Sequence, residues 1–269
     1  MSDNTHPAEG TPRTYVITGV ASGIGKTTAA ILSAAGHRIV GVDVRDADVI
    51  ADLSTAEGRS GLFSAVNEAS EGHVDAIIAV AGVAAPAPIT IRVNYFGAVA
   101  TLETLRPLLL RSDAPRAAIV SSFSTLQDVD DAVVDACLAG DESSAVEAAE
   151  AAVARDGGMT LYASSKRAIS RWVRRAAIRP EWAGAGIPVN AVGPGIVISP
   201  MTQPMLDDPE QRAGLLRMVP MPLHGPSDAT APGELLAWLT GPTNTHVTGQ
   251  VIFVDGGADA TLRPHDIFQ

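Results

Sequence analysis

The chain has 269 residues, 46% hydrophobic and 18% charged, which suits one large folded domain and excludes a disordered polymer. Its formal charge of −11 argues against non-specific binding to nucleic acid or to anionic lipid, both of which need a basic surface. A single cysteine, Cys137, excludes an intrachain disulfide framework and a multi-cysteine metal site, and the 6 histidines show no metal-ligand spacing, so no metal is expected.

Residues 1–13 are polar and lack the apolar core of a signal peptide, so they read as a disordered lead-in to one domain over 14–269. No apolar run reaches transmembrane length, so no membrane contact is expected, and the single cysteine fits a reducing cytoplasm. The first strand, 15–18, runs straight into glycines. Ile24, Thr28, Ile31, Leu32 and Ala35 then recur at helical spacing, with Gly36 placed to end that helix. Strands follow at 39–43, 49–51 and 75–80, the last ending at Gly82. The Ala/Pro stretch 84–89 reads as a loop, 93–111 as a long helix and 117–121 as a strand.

Residues 126–158 stand apart, with nine acidic side chains against the single base Arg155 and with nine alanines. Ser144 and Glu147 form a capping-box pattern, followed by Val146, Ala149 and Val153 at helical spacing, so one or two surface helices are expected there. Cys137 falls in this segment as a small apolar helix residue. Beyond it come a helix at 163–178, a strand at 187–192, a Pro- and Met-rich loop at 195–224, a helix at 232–239 and a last strand at 250–255. Strands alternating with helices predict right-handed crossovers and a parallel sheet covered on both faces. Ligands of such sheets bind beyond the carboxyl ends of the strands.

The stretch Thr18-Gly19-Val20-Ala21-Ser22-Gly23-Ile24-Gly25 lies between a strand and a helix, where glycines let the backbone approach a pyrophosphate. A triphosphate loop ending in Gly25-Lys26-Thr27 would need glycine where Val20 stands. Asp43 ends the second strand about 20 residues on, where a carboxylate accepts hydrogen bonds from ribose hydroxyls and repels a 2′-phosphate. Ser22 supplies no phosphate-binding cation, and both points favour NAD over NADP. Tyr162 and Lys166 are four residues apart on one helix face. A nearby cation favours a phenolate, so this pair is expected to exchange a proton with an alcohol or carbonyl. No Gly-x-Ser-x-Gly elbow surrounds Ser122, which excludes the serine-hydrolase reading.

Taken together, these features resemble the short-chain dehydrogenase/reductase family over nearly the whole chain. The family's glycine motif matches Gly19, Gly23 and Gly25, and its active-site asparagine matches Asn94 in Val93-Asn94-Tyr95-Phe96-Gly97. Its serine matches Ser122, its Tyr-x-x-x-Lys matches Tyr162 and Lys166, its Pro-Gly turn matches Pro194 and Gly195, and its closing Asp-Gly-Gly matches Asp255, Gly256 and Gly257. The stretches 35–47, 49–59 and 93–98 and the tail around Arg263-Pro264 are similar to the hydroxysteroid dehydrogenase/carbonyl reductase subgroup. Three features depart from the family pattern. Ala79-Val80-Ala81-Gly82 replaces an Asn-Asn-Ala-Gly run, Ser199 replaces a threonine, and 40 residues separate Ser122 from Tyr162 because the acidic segment intervenes. The same kind of insertion occurs in that subgroup.

The resemblance implies an α/β fold, a single Rossmann-type doubly wound parallel sheet with an acidic helical insertion (126–158) before the catalytic helix. It implies a catalytic set of Asn94, Ser122, Tyr162 and Lys166, in which Asn94 holds a water that links Lys166 to solvent. It implies an NAD site formed by Gly19, Ser22, Gly23, Ile24, Gly25, Asp43, Asp52, Leu53, Ala81, Gly82, Tyr162, Lys166, Pro194, Gly195, Val197 and Ser199, with Asp52 and Leu53 flanking the adenine. The expected reaction interconverts a secondary alcohol and a ketone on a hydroxysteroid or other bulky apolar carbonyl compound. The loop 195–224, through Ile196, Met201, Met205, Leu206, Met218 and Met221, is expected to close over it. The alternatives are an aryl-alcohol (coniferyl-type) dehydrogenase and a non-catalytic NAD-binding sensor or scaffold. The four intact catalytic residues argue against the latter. A homo-oligomer is expected, a dimer before a tetramer.

Overall fold

Seven strands form one parallel sheet in a computed structural model that describes residues 11–265. In chain order the elements are β1 (Thr14–Thr18), α1 (Gly23–Ala34), β2 (Arg38–Asp43), β3 (Val49–Ile50), α2 (Ala56–Ala69) and β4 (Ala76–Ala79). A helix then starts as α3 (Ile89–Ile91), passes through a π-helical stretch (Arg92–Gly97) and continues as α4 (Ala98–Leu109). Next come β5 (Arg116–Val120), α5 (Asp131–Ala139), α6 (Glu142–Ala154), α7 (Thr160–Ala176), β6 (Val189–Pro194), α8 (Gln203–Asp207), α9 (Pro209–Met218), α10 (Thr230–Thr240), β7 (Val251–Val254) and α11 (Ala258–Leu262). The sheet order is β3-β2-β1-β4-β5-β6-β7, so the strand order reverses between β1 and β4. A doubly wound sheet opens a crevice at that point.

Period-two alternation assigns the strand side chains to two cores. Val16, Ile77 and Ile119 face one side, packed with Leu62, Leu102, Leu105, Ile169 and Trp172 of α2, α4 and α7. Tyr15, Ile17, Ile78 and Ala118 face the other, with Leu32 of α1 and Leu236 and Leu239 of α10. Each such aliphatic side chain, buried, stabilises the fold by about 1.5–3 kcal/mol.

The fold departs from the sequence reading in five places. The lead-in ends before Arg13. This side chain is buried and donates to the carbonyls of Ala114 at 2.8 Å, Asp75 at 3.2 Å and Thr240 at 3.4 Å, knitting the foot of the sheet. Residues 1–10 lie outside the described residues. Helix α2 was not anticipated, although Thr55 caps it by accepting from Gly58 N–H and buries Leu62 and Val66. The expected helix at 163–178 begins earlier, at Thr160, which puts Tyr162 in its first turn. The stretch 195–224 is no plain loop but carries α8 and α9, the latter capped by Asp208 with Pro209 at its start. The acidic segment forms two helices, as expected, yet Asp141 and not Ser144 caps α6. Its inward face is Ala145, Ala149 and Ala152, while Val153 points outward. The two helices pack on α7 and on the start of the α3–α4 helix, and Val133, Val134 and Cys137 join the main core. Burial pushes the Cys137 thiol up to about 12.

Candidate active site

β1 delivers the glycine loop to the crevice. Gly19 adopts φ +75°, and a Cβ there would meet the Ala81 backbone nitrogen at 2.9 Å. A Cβ on Gly25 would meet the Gly19 carbonyl oxygen at 2.2 Å, so the loop closes only with glycine at both places. Ser22 precedes α1 without capping it, and the first turn of that helix holds no acid. Thr18 Oγ1 accepts from Val80 N–H at 3.0 Å and Ala81 N–H at 3.1 Å, tying the end of β4 to the loop.

Asp43 stands at the end of β2 and accepts from Ala21 N–H at 3.0 Å and Val44 N–H at 2.7 Å. A carboxylate offers about four lone-pair sites, so half its capacity stays available for ligand hydroxyls. Asp52 follows β3, and hydrogen bonds from the Ser54 side chain and backbone hold its carboxyl below the usual range. Leu53 is buried, and its carbonyl accepts from Arg59 at 3.0 Å.

β5 carries Ser122 to the same end of the sheet, and α7 presents Tyr162 and Lys166 beside it. Ser122 Oγ accepts from Ser124 N–H at 3.1 Å and lies near the Tyr162 phenol. Lys166 Nζ donates to the Val120 carbonyl at 2.8 Å and lies 5.7 Å from the centre of the Tyr162 ring. Burial lowers Lys166 to about 8. Burial also raises the Tyr162 phenol, opposed by the Ser122 hydroxyl. The expected lowering of Tyr162 by Lys166 does not appear here, where burial of the phenol dominates its shift.

Asn94 lies in the π-helical stretch, wholly buried, behind the crevice and not on its wall. Its Oδ1 accepts from Val83 N–H at 2.8 Å, and its Nδ2 donates to the Val83 carbonyl at 3.0 Å and to Ser165 Oγ at 3.1 Å. Both amide protons are thus spent, and Oδ1 is left to receive any further donor. A Cβ on Gly82 would reach Asn94 Oδ1 at 3.2 Å and Lys166 Nζ at 3.6 Å.

These groups converge on a cleft of about 430 Å³. Gly19, Ser22, Gly23, Ile24 and Gly25 line it, with Asp43, Asp52 and Leu53 toward one end and Ser122, Tyr162, Lys166, Pro194, Gly195, Val197 and Ser199 toward the other; Ala81 and Gly82 also line it, Gly82 beside Lys166. Every residue expected to touch the cofactor is therefore on one wall or another. Among the wall residues that the sequence reading missed are Val83, Ile89, Val93, Pro200 and Thr202. Val83 and Val93 adjoin the motif residues Gly82 and Asn94, which was the available signal. Among the side chains expected of the covering loop, only Met201 lines the cleft. Ile196 and Met221 are buried in a small core with Phe123 and Val219, and Met218 points outward. Helices α8 and α9, absent from the sequence reading, redirect those side chains. The glycine loop, the acids at one end and the hydroxyl–phenol–ammonium group at the other fit a dinucleotide with its redox-active ring beside Tyr162.

Residues 19–259 match the family model described as enoyl-(acyl carrier protein) reductase. The chain is 36% identical to the 3-alpha-hydroxysteroid dehydrogenase/carbonyl reductase of Comamonas testosteroni, over 93% of this chain and 97% of that protein. It is 31% identical to the galactitol 2-dehydrogenase (L-tagatose-forming) of Cereibacter sphaeroides, over 90% and 92%. Among solved structures it resembles the 3-alpha-hydroxysteroid dehydrogenase from Pseudomonas sp. B-0831 complexed with NADH, at 39% identity, TM-score 0.84, and coverage of 93% of this chain and 98% of that one. A dehydrogenase from Beutenbergia cavernae with bound NADP is similar at 25% identity and TM-score 0.72, covering 92% and 97%.

Proposed function

Because the chain belongs to the short-chain dehydrogenase/reductase family and is an oxidoreductase, we propose that it uses NAD to interconvert a secondary alcohol and a ketone on a hydroxysteroid or similarly bulky apolar compound. The observation that carries this is the meeting of Ser122, Tyr162 and Lys166 in one cleft with the glycine loop and Asp43. The relatives named for hydroxysteroids, one of them complexed with NADH, support both halves of the reading. Asp43 supports NAD over NADP, since its carboxylate suits ribose hydroxyls and repels a 2′-phosphate.

Gly19, Gly23 and Gly25 would bring the backbone up to the pyrophosphate, Asp43 would hold the adenosine ribose, and Asp52 and Leu53 would flank the adenine. Lys166, Val197 and Ser199 would hold the nicotinamide end. NAD when bound accepts a hydride from the carbinol carbon, and in reduced form returns it. Tyr162 takes the alcohol proton during oxidation and delivers one to the carbonyl oxygen during reduction. Ser122 donates a hydrogen bond to the same oxygen and steadies charge that develops on it. Lys166 stays within one helical turn of the phenol and meets the ribose. The remaining lone pair of Asn94 Oδ1, close to Lys166 Nζ across the Gly82 position, is where a connecting water would donate. Met201, Val197, Ile89 and Val83 supply an apolar wall for the body of the substrate.

The test is an NADH-absorbance screen of the purified protein against steroid, aryl and aliphatic secondary alcohols, run with NAD and with NADP. The proposal expects the highest kcat/KM on steroid alcohols with NAD. Preference for aryl alcohols, or equal use of NADP, would overturn the corresponding half.

A further inference from the structure

Asp52 and Leu53 line the cleft but lie outside strand β3. Two glycines hold them by close approach. A Cβ on Gly58 of α2 would meet the Asp52 carbonyl oxygen at 2.0 Å. A Cβ on Gly97 of the π-helical stretch would meet the Leu53 Cβ at 2.9 Å and the Leu53 carbonyl oxygen at 3.0 Å. This wall is therefore clasped between α2 and the π-helical stretch. α2 makes one further contact with it, from the Arg59 guanidinium to the Leu53 carbonyl at 3.0 Å.

Glu142 opens α6 in the acidic insertion, and neither it nor Arg59 lines the cleft. One of its oxygens accepts from Arg59 at 2.5 Å, and the other accepts from Arg92 of the π-helical stretch at 3.0 Å. The Arg59 side chain is 13% exposed and that of Glu142 25%, so salt and water screen the pair weakly. The donors of a guanidinium form a rigid planar fork, so a carboxylate that fixes one nitrogen aims the other. The nitrogen so aimed is the one on the Leu53 carbonyl. A single carboxylate thus draws α2 and the π-helical stretch together behind Leu53, and Arg59 passes that restraint to the wall. This end of the cleft, with Asp43, takes the adenosine half of NAD in the function proposed above. Resting on that reading, we propose that Glu142 is a positioning residue for adenosine: acting through Arg59, the acidic insertion fixes the Asp52–Leu53 wall and so contributes to cofactor affinity from outside the cleft.

The test measures dissociation constants by calorimetry for NADH and for ADP-ribose, which carries the adenosine half without the nicotinamide. Glu142→Ala should weaken both by about fivefold, less than a whole charge-assisted hydrogen bond because the wall is loosened and not removed. The ratio of the two constants should hold within about twofold, since the loss falls on the half they share. Arg59→Met should weaken both at least as much, and the double variant no more than Arg59→Met alone, because the two residues act through one link. Arg92→Met leaves the Arg59 pair in place, and Arg155→Gln breaks the insertion's ion pair with Asp130. Each should bind ADP-ribose within about twofold of wild type. A Glu142→Ala protein that binds ADP-ribose as wild type does, or that loses NADH far more than ADP-ribose, would overturn the proposal. So would an Arg155→Gln protein weakened as much, since the insertion would then act through stability alone. If Glu142→Ala does not fold, Arg59→Met decides, and wild-type affinity for ADP-ribose there refutes the link. Wild type that binds NADH but not ADP-ribose would refute the adenosine placement alone. Wild type that binds neither would sink the cofactor reading beneath it.

Discussion

Tyr162 and Lys166 sit one helical turn apart, and burial shifts them in opposite directions, the phenol up and the ammonium down to about 8. Oxidation needs the phenol to accept a proton and reduction needs it to donate one. Alcohol oxidation should therefore climb from neutral pH to about 10 while ketone reduction, served by a phenol that stays protonated there, holds nearly level, which initial rates across that range will check. Tyr162→Phe should lower kcat by about 10²–10⁴-fold, yet leave NADH affinity nearly unchanged, since only the proton-carrying oxygen is lost. Turnover within about tenfold of wild type would refute its role. Lys166 also carries a stability signature. Its folded value lies below the ordinary 10.5, so between about 8 and 10.5 the unfolded chain binds the extra proton and stability rises with pH. Lys166→Met should accordingly raise the melting temperature at neutral pH, with the gain shrinking across that window. Asp43→Ser should weaken NAD by about tenfold and relieve the exclusion of NADP, as paired affinity measurements would report. These residues could be picked out from the sequence because each ends a strand or repeats at helical spacing. Thr202 could not, because only the folded turn after β6 brings it to the cleft.

Strands β1, β2, β5 and β6 were legible as short apolar runs, since a sheet buried on both faces leaves no polar position to blur them. Helices with thin apolar faces were harder. α9 buries nothing, and α2 buries only Leu62 and Val66. In α6 the inward face is alanine, so of the residues that suggested its phase Ala149 is buried, Val146 half-buried and Val153 exposed. Small side chains permit close approach there, and Ala149→Leu should overpack it by about 1–3 kcal/mol in denaturant titration. Glu142, the first residue of α6, pairs with Arg59 of α2 at 2.5 Å and with Arg92 of the π-helical stretch at 3.0 Å. It thus joins the acidic insertion to both the Leu53 corner of the cleft and the helix that carries Asn94. Glu142→Gln should cost on the order of 1–2 kcal/mol, between exposed and buried ion pairs, and less at high salt.

Across the whole molecule, the acidic segment lies along α7 and covers much of its outer side, while all four β7 residues stay half-exposed at the edge of the sheet. No helix among the described residues is long and apolar enough to cross a membrane. We propose a dimer formed through β7 and the C-terminal tail, with the insertion obstructing any pairing along α7 and its charge adding repulsion. Light scattering at moderate salt should give twice the chain mass. A stable tetramer with residues 126–158 buried between subunits would refute this. The sheet order has a further consequence for how the chain acquires its fold. β1, β2 and β3 complete one wing first, and from then on β4, β5, β6 and β7 each join the same open edge in the order in which a ribosome would release them. No later strand has to be threaded between two earlier ones. The two central strands form early and stay sheltered on one side, so at each stage of synthesis a single unpaired strand edge faces solvent on the growing side.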